Sequence, residues 1–114
     1  AGLPLRLLLN KNAAAKIPAY ASGLNPNDCI EVIDRTRDEG FRTFKLKIGF
    51  GKEVDERNLK AIRSKMTTGE KLFVDANQGF SPGSAADQIE MLVDNGVDWF
   101  EEPFIATANS SEWE

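Results

Sequence analysis

The sequence predicts an α/β fold: the first half of a (β/α)8 barrel, with about four parallel strands and three crossover helices, truncated before the barrel closes. Three observations carry this prediction. Strand-like apolar runs recur at Ile17 to Ala21, Thr43 to Ile48, Lys71 to Asp75 and Val97 to Glu101, about 26 to 28 residues apart. Segments with helical periodicity fill the intervals, which implies parallel strands joined by right-handed crossovers. The turn after the first run, Ala21-Ser22-Gly23-Leu24-Asn25, is not the Gly-rich phosphate turn a doubly wound sheet would show there. A whole barrel takes about 250 residues, and 114 residues supply roughly half of one.

Residues 1–16 hold a short Leu-rich helix and an Asn/Lys-containing linker, and read as the tail of a preceding element. Residues 17–114 are the half-barrel. Asn25-Pro26-Asn27-Asp28 opens the first crossover helix, with Cys29, Ile30, Val32 and Ile33 turned inward and an end at Gly40. The second runs from Glu53 to Met66, with Val54, Leu59, Ile62 and Met66 at helical spacing and Thr67-Thr68-Gly69 as its exit. Ser81-Pro82 opens the third, which places Ala85, Ile89, Leu92 and Val93 on one face and stops at Asn95-Gly96.

Composition narrows the function. Fourteen Lys and Arg against 18 Asp and Glu give a net charge of -4, so there is no electrostatic footprint for nucleic acid. The longest apolar stretches, Leu7-Leu8-Leu9 and Ala13-Ala14-Ala15, are far short of a membrane span, and no basic start with an apolar core marks a secretory signal, so a cytoplasmic protein is expected. With no histidine and a single cysteine, Cys29, the chain carries neither Ser-His nor Cys-His chemistry and no internal disulfide. Carboxylates and lysines must carry any reaction.

Phe44-Lys45-Leu46-Lys47-Ile48 alternates strictly, so both lysines share one face of a strand. In a barrel the apolar face packs on the helices and the lysine face points inward, where an ammonium is costly without a task. Two neighbouring cations disfavour each other's charge, which would move one lysine toward neutrality as a general base. Lys47, nearer the C-terminal end, is the expected base and Lys45 its electrostatic helper. Leu72-Phe73-Val74-Asp75-Ala76-Asn77 ends a strand in a carboxylate with an amide two residues on, and Trp99-Phe100-Glu101-Glu102-Pro103 repeats the device one unit later. Barrel enzymes keep their active groups at such strand ends, and carboxylate oxygens suit a hard cation such as Mg2+. Taken singly, Asp75 reads as a loop cap and Glu101 and Glu102 as solvated acids. Gly49-Phe50-Gly51-Lys52 lacks the Ser or Thr of a phosphate loop and reads as an ordinary βα connection. Tyr20 and Trp99 read as aromatic filling, and Cys29 as a packing residue.

The ordered set of K-x-K, V-D-A-N-Q and W-F-E-E-P strand ends resembles the mandelate racemase and muconate lactonizing enzyme branch of the enolase superfamily, from about Gly2 to Pro103. That resemblance implies a Mg2+-dependent enzyme acting on a small-molecule carboxylate, working as a homo-oligomer. It implies that Lys47 removes the proton α to a carboxylate and that Lys45 lowers the base's pKa and contacts the substrate carboxylate. Asp75 and Glu101 match the family's first two metal ligands, and Asn77 a position beside metal and substrate. Residues 1–16 resemble the end of the capping domain's last helix and the linker that follows it. The third metal ligand, expected on a fifth strand, and the second acid/base group fall beyond Glu114, so the segment alone is expected to be inactive. E-E-P resembles the racemase and acid-sugar dehydratase side more than the cycloisomerase side. The rival readings are a lactonizing cycloisomerase, a barrel lysine forming a Schiff base without metal, and a half-barrel that only associates.

Overall fold

The computed structural model describes residues 2–113. A short helix, α1 (Leu5–Leu9), precedes four strands, β1 (Ala21–Leu24), β2 (Thr43–Lys47), β3 (Lys71–Asp75) and β4 (Trp99–Glu101). Helices α2 (Cys29–Asp38), α3 (Lys52–Lys65) and α4 (Pro82–Asp94) connect them in turn, and a 3-10 turn lies at Ser110–Glu112. All three strand pairings are parallel and the sheet order is β1-β2-β3-β4. Consecutive order with a helix between neighbours is the arrangement of half a (β/α)8 barrel; a doubly wound sheet reverses direction at a switch point.

Each helix carries its own start and stop signals. In α2, Glu31 lies in the first turn and Arg35 and Arg37 in the last; in α3, Glu53 and Asp55 face Arg63 and Lys65 the same way, complementing the helix dipole. A capping box between Ser81 and Ser84, with Pro82 in the first turn, opens α4. The core lies between the outer sheet face and these helices: Phe44 and Leu46 of β2, Leu72 and Val74 of β3, Ile33, Leu59 and Ile62 are fully buried. Each such side chain contributes about 1.5–3 kcal/mol through removal from water. Their alternation fixes which face of β2 and β3 turns inward.

At the N-terminal end of β3 a buried ion pair ties the layers together. The Glu70 side chain is 0% exposed and accepts from Arg37 Nε at 2.7 Å and Nη2 at 3.1 Å, and from the Thr67 amide at 2.9 Å. The Arg37 guanidinium holds the Glu70 carboxyl down at about 2.

Two expectations are corrected. The first strand is Ala21–Leu24, not Ile17 to Ala21: Ile17 is 80% exposed, Pro18 has no N–H to give, and pairing with β2 begins at Ala21 opposite Phe44. The inner face of α4 is Ala85, Gln88, Met91 and Leu92, with Ile89 and Val93 52% and 67% exposed. Ile89 and Val93 line a groove of about 250 Å³ with Trp99 and Phe100, on the side of β4 that has no strand partner among the described residues. Among the described residues no helix is long and apolar enough to cross a membrane.

Candidate active site

Strand register stacks the inward side chains in layers. Lys45, Phe73 and Trp99 are partners across β2, β3 and β4, and the next inward layer toward the C-terminal rim is Lys47, Asp75 and Glu101. Residues whose sequence positions differ by 28 and by 26 thus become neighbours. The rim continues past the strands: Ala76 N–H donates to Glu101 O, Gln78 N–H to Glu102 O and Phe80 N–H to Pro103 O. Asn77, Gln78 and Glu102 adopt left-handed backbone, with φ of 46°, 63° and 46°, which bends both loops while keeping them paired.

All five expected site residues come together. Lys47 Nζ donates to Asp75 Oδ2 at 2.7 Å and to Asn77 Oδ1 at 2.6 Å. Lys45 Nζ lies 3.0 Å from Glu101 Oε2 and 3.3 Å from Asp75 Oδ2, and the residue is only 6% exposed. The second oxygen of Asp75 accepts from the Asn77 amide at 2.9 Å, so Asp75 caps its loop and faces the lysines at once. Glu102, the second acid of E-E-P, is exposed and serves through its backbone carbonyl.

The electrostatics differ from the like-charge expectation. Burial works to lower the Lys45 pKa, but hydrogen bonds to Glu101, Asp75 and Tyr20 outweigh it and hold the ammonium above its ordinary range. Burial likewise pushes Asp75 up, while Lys47, the Asn77 amide and Lys45 pull it below the usual carboxylate range. The reason is geometric: an anion stands between the two cations, so each lysine meets Asp75 before it meets the other.

The donor set fits a hard divalent cation. Asp75 and Glu101 are register partners whose carboxylates already converge on one cationic atom, Lys45 Nζ, and both are oxygen donors. Among the described residues no third Asp, Glu, Cys or His joins them.

Two neighbours had weak sequence signals. Asp55, buried in the first turn of α3, accepts from the Gly49 amide at 2.9 Å and the Phe50 amide at 3.4 Å, closing the loop that follows β2. Burial pushes its carboxyl up despite those two bonds. Its place in a charged helix face hid it. Tyr20, read as filling, reaches Lys45 Nζ with its hydroxyl at 3.4 Å. Cys29 is a buried free thiol at the start of α2.

Parallel strands deliver two lysines and two acids to one rim, at the strand ends where barrel enzymes carry their active groups. The chain belongs to the mandelate racemase/muconate lactonizing enzyme family of the enolase superfamily, its residues 28–112 matching the family described as enolase C-terminal domain-like. It is 32% identical over 111 residues to the D-galactarolactone cycloisomerase of Agrobacterium fabrum, covering 91% of this chain and 29% of that protein. Over 104 residues it is 35% identical to the hydrophobic dipeptide epimerase of Enterococcus faecalis, covering 90% of this chain and 29% of that protein. A crystal structure of a mandelate racemase/muconate lactonizing enzyme from Bordetella bronchiseptica superposes with a TM-score of 0.81 at 39% identity, over 85% of this chain and 27% of that one. Several other solved relatives carry magnesium. The chain thus spans less than a third of the length of these relatives.

Proposed function

We propose that the protein containing this chain abstracts the proton α to the carboxylate of a hydroxy or sugar acid, after which a proton is delivered to the opposite face of that carbon, giving racemisation, or a β-hydroxyl takes up a proton and leaves as water, giving dehydration. The observation that carries this reading is the convergence of Lys45, Lys47, Asp75 and Glu101 on one inward rim. Asp75 and Glu101 would hold Mg2+. When bound, it supplies positive charge against the carboxylate oxygens on which negative charge develops.

The lysines divide the remaining work. Lys47 Nζ takes the α-hydrogen as a proton, and the electron pair of the broken C–H bond moves onto the carboxylate. Asn77 and Asp75 aim that amine by accepting its hydrogen bonds. Lys45, deeper in the same face, opposes the developing charge from a second side. A cation held by Asp75 and Glu101 would draw on the same carboxylate charge that the two lysines meet here. Similarity to a cycloisomerase supports a second outcome, lactone cycloisomerisation, which shares the proton-transfer step.

The test is solvent deuterium exchange in the whole protein, with mandelate, D-galactarolactone and L-galactonate as probes. Deuterium at the α-carbon that needs Mg2+ and disappears in Lys47→Ala supports the reading. Activity that survives EDTA, with a borohydride-trapped adduct on Lys45 or Lys47, would replace it with Schiff-base chemistry.

A further inference from the structure

The loop after β3 holds a strained residue whose side chain has no structural task. Asn77 and Gln78 are consecutive left-handed residues, at φ of 46° and 63°. Asn tolerates that backbone through its short polar side chain, which here also accepts from Lys47 Nζ. A longer side chain is strained there, and glycine is the residue such a position favours. Gln78 supports the loop through its N–H, which donates to Glu102 O at 2.8 Å and which glycine would supply equally. The residue is exposed, and its side-chain amide makes no hydrogen bond among the described residues. Yet Gln78 stands at the mouth of the site, next in chain to Asn77 and joined by its backbone to the residue after Glu101.

Strained backbone persists where the side chain it carries is needed for function. We propose that Gln78 is a specificity-determining residue: its side-chain amide hydrogen-bonds hydroxyl groups on the part of an acid substrate beyond the α-carbon, and so selects polyhydroxy acids over acids with an apolar remainder. This rests on the reaction proposed above, in which the substrate carboxylate meets the cation of Asp75 and Glu101 and the α-hydrogen meets Lys47. The rest of such a substrate extends outward past Asn77, along the loop that carries Gln78. An amide offers N–H donors and a carbonyl acceptor without net charge, and hydroxyls likewise donate and accept. Glu102 shares the left-handed backbone across the same hydrogen bond, but its carboxylate only accepts and repels an anionic substrate. Bonds from the Ala76, Gln78 and Phe80 amides into the exit of β4 pin the loop, which keeps the amide in one place.

The first test is Gln78→Gly in the whole protein with Mg2+ present. Glycine relieves the left-handed backbone, and this outweighs the freedom it adds to the unfolded chain, so the melting temperature is expected at or above wild type. A lower melting temperature would give the side chain a structural role and overturn the proposal. The ratio of deuterium exchange with L-galactonate to exchange with mandelate, an acid whose remainder is a phenyl ring, should fall about three- to tenfold. A ratio that stays or rises overturns the proposal. A binding measurement separates the contact from the reaction. The side-chain amide signal of Gln78, identified in glutamine-labelled protein by its loss in Gln78→Gly, should shift on addition of L-galactonate and shift less with mandelate. Equal shifts, or none, overturn the proposal. If wild type exchanges neither acid while the signal responds to L-galactonate, the reaction fails and the contact stands.

Discussion

Lys47 and Asp75 are direct partners across β2 and β3, and their side chains close that pairing with a 2.7 Å hydrogen bond. Backbone register and charge pairing select the same neighbour, so the amine is aimed by the sheet itself.

Removing that amine is expected to remove the chemistry and spare the fold. Lys47 is half-buried at the rim, and Lys47→Ala should lower α-proton exchange by at least about 100-fold, with a melting temperature near wild type by calorimetry. Lys47→Arg should fail as well, since a guanidinium does not give up its proton.

Metal affinity should separate the two acids of E-E-P. Glu101→Gln should weaken Mg2+ binding by more than about tenfold in titration calorimetry. Glu102→Gln should leave it unchanged, because Glu102 is exposed and joins the rim through its backbone carbonyl.

Acid should loosen the protein through Glu70. Its pKa is about 2 in the folded chain against an ordinary 4.5, so the folded state binds its proton more weakly than the unfolded state. The stabilisation is full above about pH 5 and is lost as pH falls toward 2, amounting to about 2–3 kcal/mol. Glu70→Gln should flatten this part of the pH dependence of urea unfolding.

Asp55 should show its role through loop order. Asp55→Ala leaves the Gly49 and Phe50 amides without their acceptor and is expected to cost about 1–3 kcal/mol. Asp55→Asn, which keeps an oxygen in place, should cost less, and hydrogen exchange at Gly49 should rank the three proteins in that order.

The parts legible in the sequence were those where a local pattern and the tertiary environment agree. Lys71 to Asp75 is a strand with the expected bounds because its alternation and its burial say the same thing. The K-x-K strand showed its inward face for the same reason. Ile17 to Ala21 misled because β propensity is also met by an exposed extended segment, and only the pairing of Ala21 with Phe44 decides where the strand begins. Ile89 and Val93 misled because an apolar residue reveals that it avoids water, not which neighbour covers it. The charge state of Lys45 was hidden because it depends on Glu101, 56 positions away.

The layered inner face also ties each contact of the rim to the closure of one crossover. Lys47, Asp75 and Glu101 belong to three separate strands, and no single hairpin or helix brings any two of them together. Parallel pairing requires each crossover to close first, which makes these contacts slow to form. Lys47 and Asp75 meet when α3 folds back between β2 and β3, and Asp75 and Glu101 when α4 folds back between β3 and β4. Formation of the Asp75–Glu101 pair thus reports closure of α4, and formation of the Lys47–Asp75 pair reports closure of α3, each on its own.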